Sequence, residues 1–325
     1  MARYLRLSVW VALAGAAVAV GLVTESERLQ VIAIQTFMLA ALATSWNILG
    51  GFAGQISLGH AVFFGLGALI TRDLWLGGSP IALAFLAAVL TTAAVAAILG
   101  MPMLRLRGIY FAIGTLALGI AVWVTVGNVR FLISSLPLEQ LREFTYTVPY
   151  FLALGVLAIT VVVAAWLRQS KRGMGMMAVR DDEEAAAATG VGPLGHKMLA
   201  FVVSAALAAL AGGVFAISTV GYYPNHPFSV VWTFEAILVA FIGGLGTIAG
   251  PLIGSAFFVI GRNTLPAALT GFQPVVFGVL FIIVVLVLPG GIVEGARRVF
   301  TWTSRKRGVR RPTEKTGEPE GKEMK

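Results

Sequence analysis

The chain has 325 residues, of which 58% are hydrophobic and 12% charged, with a net charge of +9 at pH 7. A water-soluble domain of this length needs more polar surface, so the composition indicates a protein whose solvent is the bilayer. The basic residues flank apolar runs, as in membrane proteins that obey the positive-inside rule, which argues against nucleic-acid binding. The absence of cysteine excludes disulfides, thiol catalysis and zinc–thiolate sites.

Apolar runs long enough to cross the bilayer recur along the chain. A span needs roughly 20 residues, or fewer where a helix is short or broken. We predict ten spans, at 7–23, 30–49, 56–76, 81–104, 108–129, 147–167, 197–219, 231–246, 250–265 and 272–289. The first also resembles a signal peptide, but the runs that follow favour an uncleaved helix. The predicted fold class is an all-α, polytopic integral membrane protein of about ten transmembrane helices, some short or broken by Gly or Pro.

The distribution of positive charge predicts the orientation of these spans. Most Lys and Arg residues fall on the side that carries both termini, which the positive-inside rule assigns to the cytoplasm. The residues left on the external side are Arg28, Arg72, Arg130, Arg142 and Arg262. We therefore expect a multi-pass protein of the bacterial cytoplasmic membrane with both termini inside.

Two hydrophilic stretches stand apart from the spans. Residues 169–196 form the longest internal loop, inside a transmembrane domain predicted at 1–296. Residues 297–325 begin with a basic cluster suited to anionic lipid headgroups and end in a Pro-, Gly-, Glu- and Lys-rich stretch typical of disorder. We predict a lipid-facing cytoplasmic tail with no role in transport.

Two Gly-rich stretches, 50–59 and 243–251, interrupt predicted spans. Glycine costs a helix about 1 kcal/mol per residue, and unwound backbone at membrane depth is tolerated only inside protein or beside water. We read both as breaks facing the bundle interior. The candidate pathway or helix-break residues are Gly50, Gly51, Gly54, Gln55, Ser57, His60, Glu235, Gly243, Gly244, Gly246 and Pro251.

Two interpretations of the polar residues in the spans remain open. Apart from Asp73 near the end of the third span, Glu235 is the only carboxylate inside a predicted span, where it is either a helix-start carboxylate at the interface or a polar group at the outer mouth of the pathway. The other polar side chains suit helix–helix hydrogen bonds as well as contact with cargo. They are Gln35, Asn47, Gln55, Ser57 and His60. The three histidines are too scattered to form a metal site.

The internal loop contains an acidic run followed by four alanines, and no catalytic residue pattern. Asp181 is the predicted N-cap, with Glu184 reaching back to it and Gly190 providing a left-handed stop. These residues predict a short helix on the cytoplasmic face. On physical grounds alone, this helix is interpreted as a simple connector between spans.

The loop at 173–190 resembles the Glu-Ala-Ala loop of ATP-binding-cassette importer permeases, with Glu184, Ala185, Ala186 and Gly190 at the motif's spacing. Residues 46–60 resemble the first signature of the branched-chain amino acid permease family, in its second permease type. The stretches at 107–117 and 243–251 are similar to further blocks in the same order. The four blocks together cover most of the membrane body.

The resemblance implies a coupling helix that docks in a groove of a cytoplasmic ATPase, formed by Asp181, Asp182, Glu183, Glu184, Ala185, Ala186 and Gly190. It further implies a paralogous permease as the other half of the pathway, two ATPase subunits and an extracytoplasmic binding protein. The sequence contains no Gly-x-x-x-x-Gly-Lys-Ser/Thr phosphate loop, so we expect ATP on the partners and no cofactor in this chain.

The resemblance places branched-chain or other hydrophobic amino acids first as cargo. The same family handles urea and short amides, whose permeases tend toward Arg where this chain has Leu245. Residues 125–135 also depart from the family's usual Thr-Gly-Gly stretch. A self-sufficient secondary transporter is less favoured because acids within the spans are scarce, and no span carries the catalytic pair that a membrane enzyme needs.

Overall fold

Helices make up most of what the computed structural model describes, which is residues 26–130, 134–136, 141–142, 144–264 and 290–295 with the isolated positions 21, 275, 278, 279, 282 and 286. The helices are α1 (Glu27–Asn47, continued by a π-helical turn at Ile48–Phe52), α2 (Ala61–Leu76), α3 (Ile81–Met103), α4 (Ile109–Val129), α5 (Thr147–Gln169), α6 (Lys171–Asp181), α7 (Glu183–Ala188), α8 (Pro193–Ser218), α9 (Val230–Gly243) and α10 (Ala249–Thr264). Two-residue strands, β1 (Ser134–Ser135) and β2 (Gly221–Tyr222), pair as an antiparallel ribbon.

The helix positions confirm the all-α fold class. Among the described residues, five helices are long and apolar enough to cross a membrane: α1 with its π-helical turn, α3, α4, α5 and α8. The shorter α2, α9 and α10 occupy three more predicted spans, and the division of 231–265 into two helices is confirmed. The predicted spans at 7–23 and 272–289 lie outside the described residues except for isolated positions, as does the whole tail at 297–325.

The third predicted span is only partly helical. α2 begins at Ala61 rather than at 56, and residues 53–60 are extended or bent. Side chains from three other helices satisfy the backbone of this segment. The hydrogen bonds join Trp46 Nε1 to the Ser57 carbonyl (2.8 Å), the Leu58 amide to Thr115 Oγ1 (3.1 Å) and the Ala61 amide to Thr233 Oγ1 (2.8 Å). Because these partners replace the missing helical bonds, the segment can stay unwound at membrane depth.

α1 and α8 form the centre of the bundle. α8 packs against α2 and α3, and α1 packs against α5, α8, α9 and α10. α4 lies at the edge and buries only Phe111, Thr115 and Gly119, a stripe of residues four apart. Its remaining apolar surface is exposed, as expected for a helix that faces lipid or a neighbouring subunit.

Small residues allow α2 and α8 to approach closely. A side chain at Gly67 would overlap the backbone of Ala209, and one at Gly212 would overlap the carbonyl of Phe64 and the amide of Ala68. Lipid supplies no hydrophobic force between helices, so dispersion contacts at such close approach stabilise the pair.

The chain connections give the bundle two ends. We call the end that carries α6 and α7 the α6 end, and the end that carries the β1–β2 ribbon the ribbon end. At the ribbon end, Arg72 of α2 is fully buried. Its guanidinium donates to the carbonyls of Ala216 (2.9 Å), Thr219 (3.1 Å) and Val220 (3.1 Å), and so neutralises the negative C-terminal end of α8.

The close contact between α2 and α8 predicts that Gly212→Ala destabilises the protein. The added methyl group meets backbone atoms that cannot rotate away, and overpacking of this kind costs about 1–3 kcal/mol. The measurement is thermal unfolding of the purified protein in detergent.

Gly155→Ala in α5 is the matched control, because nothing lies within 4 Å of an added methyl group there. Its stability should stay the same or rise slightly through helix propensity. Equal melting temperatures for the two variants would show that the α2–α8 contact can accommodate the added methyl group.

Candidate functional site

The loop between α5 and α8 folds into two short helices that meet at one residue. α6 ends at Asp181, and Asp182 caps α7. Asp182 Oδ1 accepts hydrogen bonds from the amides of Glu184 (2.9 Å) and Ala185 (3.0 Å). The prediction that Asp181 is the cap was wrong by one residue. Asp181 is instead the last residue of α6, a helix that was not predicted from the sequence.

The end of α7 has the predicted left-handed stop. Gly190 has φ +86°, its amide donates to the Ala187 carbonyl (3.0 Å), and the Val191 amide donates to the Ala186 carbonyl (3.0 Å). These two hydrogen bonds form the Schellman motif, which favours glycine at the residue with a left-handed backbone conformation. Pro193 then begins α8, where a missing amide hydrogen costs nothing.

The exposed face of α7 differs from the face expected of a docking helix centred on Ala186. Ala186 is only 4% exposed and packs inside its own chain. The exposed residues of the helix are Glu184, Ala185, Ala187 and Ala188. A partner seated on α7 would therefore contact these four residues, and a bulky substitution at Ala186 would first disturb this chain.

An ion pair fixes α7 to the first turns of α8. Lys197 Nζ lies 2.6 Å from Glu183 Oε2, and the lysine side chain is only 4% exposed. A buried ammonium group needs such a partner, since an unpaired buried charge is costly. The Glu184 side chain has no hydrogen bond or ion pair to the described residues, so the expected reach-back to the cap is not formed.

Arg180 connects α6 to the first glycine-rich break. Its Nη1 donates to the Gly51 carbonyl (2.9 Å), while Nε and Nη2 donate to Asp181 Oδ1 (2.9 and 2.8 Å). Its side chain crosses Gly54, where an added methyl group would lie 2.8 Å from Arg180 Cγ. An added methyl group at Gly246, in the second break, would lie 3.3 Å from Nη1. One guanidinium therefore lies against both breaks.

Asn47 joins the two breaks directly. Its side-chain Nδ2 donates to the Thr247 carbonyl and its Oδ1 accepts from the Gly246 amide, both at 2.8 Å. Asn47 ends α1, so the start of the first break and the turn between α9 and α10 are held in register by one side chain. We call Asn47, Gly51, Arg180, Gly246 and Thr247 the glycine junction.

The predicted break residues mostly lie at or beside this junction. Gly54, Gly244 and Gly246 have φ of +70°, +123° and +73°, a region that favours glycine. Gly50, Gly51 and Gly243 permit close contacts with the Trp46 ring, with Asn47 and with Gly250. Pro251 is buried in the first turn of α10 and does not itself break a helix.

The remaining polar residues of the first break separate into buried and accessible groups. His60 and Ser57 are buried, and His60 Nε2 lies 3.1 Å from Ser45 Oγ of α1. Gln55 is partly exposed and donates to the Ala53 carbonyl (3.3 Å) beside exposed Gly54. His60 and Ser57 therefore belong to the bundle interior, and Gln55 to its accessible edge.

Glu235 lies far from the glycine junction, near the ribbon end of α9. Its Oε1 is 3.3 Å from Arg262 Nη1 of α10, and Arg262 Nη2 donates to Gln35 Oε1 of α1 (3.1 Å). Both charged side chains are less than one quarter exposed. The sequence pattern placed Glu235 near the outer end of its span but could not reveal Arg262 as its partner.

These features define the class of protein. A bundle of apolar helices, interrupted at two glycine-rich breaks that meet a capped loop at one end, is an integral membrane permease. The chain belongs to the family described as "Branched-chain amino acid transport system / permease component", whose model matches residues 28–287.

Individual relatives agree with this assignment. The chain is 27% identical over 305 residues to the high-affinity branched-chain amino acid transport system permease protein LivM of Escherichia coli K12, covering 82% of this chain and 70% of that protein. It is 33% identical over 144 residues to LivH of the same strain, covering 43% and 44%. It is 33% identical over 170 residues to the autoinducer 2 import system permease protein LsrC of Enterobacter sp. 638, covering 50% and 48%. No solved structure matches the chain significantly.

The ion pair between α7 and α8 predicts that Glu183→Gln lowers stability by about 1–3 kcal/mol, because it leaves the Lys197 ammonium buried without a counter-charge. Glu184→Gln removes the same charge one residue away, where the carboxylate is exposed, and serves as the control. Thermal unfolding of both variants in detergent measures the difference. Indistinguishable melting temperatures would mean that Lys197 does not depend on Glu183.

Proposed function

We propose that this chain is the membrane-spanning permease subunit of an ATP-driven importer, in which it forms half of the translocation pathway for branched-chain or other hydrophobic amino acids. The observation that carries this proposal is the glycine junction. Arg180 attaches the loop that bears α7 to the first break, and Asn47 joins that break to the second. A displacement of α7 therefore reaches the unwound segments of the spans, which bend most easily.

The remaining parts of the importer are separate polypeptides. The sequence has no phosphate loop, so ATP hydrolysis belongs to two cytoplasmic ATPase subunits, and α7 is the element that docks on them. Matches to both LivM and LivH support a pair of related permeases. An extracytoplasmic binding protein delivers cargo to the ribbon end.

The orientation follows from the same arrangement. Docking on cytoplasmic ATPases requires the α6 end to face the cytoplasm, which agrees with the positive charge of Arg168, Lys171, Arg172 and Arg180 near that end. The β1–β2 ribbon then faces outward, and with the predicted spans at 7–23 and 272–289 both chain termini lie in the cytoplasm.

The similarity to LsrC supports a second candidate cargo. Its match covers half of this chain, and its name refers to import of autoinducer 2. A permease of the same architecture for autoinducer 2 is therefore the alternative.

The proposal predicts that uptake requires the complete set of subunits. Proteoliposomes with both permeases, the ATPases, the binding protein and internal ATP should accumulate radiolabelled leucine. Vesicles that contain this chain alone should neither hydrolyse ATP nor accumulate leucine. Uptake by the isolated chain under a proton or sodium gradient would instead identify a secondary transporter.

The position of α7 predicts where the ATPase binds. Since the chain lacks cysteine, Ala188→Cys introduces a single thiol on the exposed face of α7. A membrane-impermeant maleimide should label it only from the cytoplasmic side, and bound ATPase should protect it.

The control is Ser79→Cys, in the turn between α2 and α3 at the ribbon end. It should be labelled only from outside and should be indifferent to ATPase. External labelling of Ala188→Cys would contradict the orientation, and labelling that ATPase leaves unchanged would contradict docking on α7.

A further inference from the structure

A cavity of about 110 Å³ lies at the ribbon end between α1, α5, α8, α9 and α10. Its walls combine apolar and aromatic side chains with the polar side chains of Gln35, Ser218, Thr219 and Arg262. The residues that matter here are Gln35, Met38, Tyr146, Phe215, Trp232 and Arg262. For comparison, an engineered apolar cavity of roughly 150 Å³ in another protein holds benzene, so this space is large enough for a short branched side chain.

The ion pair beside the cavity is incompletely satisfied. Arg262 Nη1 and Glu235 Oε1 are 3.3 Å apart, longer than the roughly 2.7–2.9 Å of a strong charge-assisted hydrogen bond. The second carboxylate oxygen, Glu235 Oε2, is buried and has no hydrogen-bond partner among the described residues. A buried carboxylate oxygen without a donor is costly, so a pair that served only to hold α9 to α10 should satisfy both oxygens.

The position of Glu235 relates this unsatisfied oxygen to the cavity. Trp232 and Glu235 are three residues apart in α9 and therefore share one helix face. Trp232 and Arg262 line the cavity, and Arg262 contacts Glu235. Glu235 does not itself line the cavity, so Arg262 presents a positive group to the cavity while the free acceptor of Glu235 lies directly behind it. Charged residues within membrane spans commonly mark substrate pathways.

We propose that this cavity is a subsite of the translocation pathway that binds a zwitterionic amino acid with a short branched side chain. The α-carboxylate binds the Arg262 guanidinium, the Glu235 side chain turns toward the cavity so that its Oε2 accepts from the α-ammonium, and the substrate side chain packs against Met38, Phe215 and Trp232. The assignment rests on the proposed function for its choice of cargo. It adds the residues that recognise that cargo inside the membrane, after release from the binding protein.

The opposite charges predict how binding responds to leucine analogues that lack one charge. Titration of the assembled permease–ATPase complex, without binding protein, measures affinity for leucine, leucinamide (no carboxylate) and 4-methylpentanoate (no ammonium). The wild-type complex should prefer leucine to each analogue by roughly tenfold or more, as expected for a charge-assisted hydrogen bond. Arg262→Gln should lose the preference over leucinamide, and Glu235→Gln the preference over 4-methylpentanoate.

Each single substitution leaves one charge without its partner, so the double variant Glu235→Gln/Arg262→Gln is included as one that buries no lone charge. It should elute as an intact complex and bind leucine no better than either analogue. The matched control is Arg130→Gln, which breaks the exposed ion pair of Arg130 with Asp73 (3.0 Å) and should keep wild-type selectivity.

The apolar wall gives a second, independent measurement. Met38→Ala enlarges the cavity and should improve phenylalanine binding relative to leucine. Met38→Phe reduces it and should weaken leucine binding relative to alanine. Opposite shifts from one position report cavity size rather than general damage.

The outcomes separate this proposal from the proposed function. If the wild-type importer takes up leucine while the Glu235 and Arg262 variants keep wild-type selectivity among the three ligands, the ion pair is structural and the subsite is wrong. Loss of uptake without a change in selectivity has the same meaning. If the complete wild-type importer takes up no amino acid, the proposed function itself fails, whatever the variants do.

Discussion

The requirement that every backbone polar group at membrane depth find a partner within the protein governs this structure. Residues 53–60 lack helical hydrogen bonds, and they remain unwound only because Trp46, Thr115 and Thr233 supply replacements from three other helices. Those partners in turn fix how α1, α4 and α9 sit around the segment. The break is therefore a point at which the bundle is assembled, and its glycines allow neighbouring backbones to come close enough to be bonded.

α9 links the cavity at the ribbon end to the glycine junction. It begins at the ribbon end beside the cavity, with Trp232 and Glu235 in its first turns, and ends at Gly243, immediately before the turn bonded to Asn47. At 14 residues it is about 21 Å long, shorter than the hydrocarbon core. A short, stiff helix between a ligand cavity and a flexible junction is suited to carry a displacement from one to the other, because its interior has no glycine at which to bend.

The spans were predictable from the sequence because runs of apolar residues report membrane depth directly, and the boundaries of α3, α4 and α5 fall within two residues of those expected. The Gly-rich stretches also identified the breaks. The partners of those breaks were not predictable, since Arg180 lies 129 positions from Gly51 and Asn47 lies 199 from Gly246. The partners of Arg72 were not predictable for the same reason, since the three carbonyls that accept from it lie 144 to 148 positions away.

Asn47 recognises its neighbours through backbone atoms alone: the carbonyl of residue 247 and the amide of residue 246. Every amino acid provides the carbonyl and every one except proline the amide, so the contact places almost no demand on chemical identity at 247 and asks of 246 an amide hydrogen and a positive φ. The contact instead requires a side-chain amide at position 47, because aspartate would provide no donor and leucine no polar atom. The register of these two spans thus depends on one side-chain amide, and the opposing turn answers it with backbone atoms and with the positive φ of its glycines.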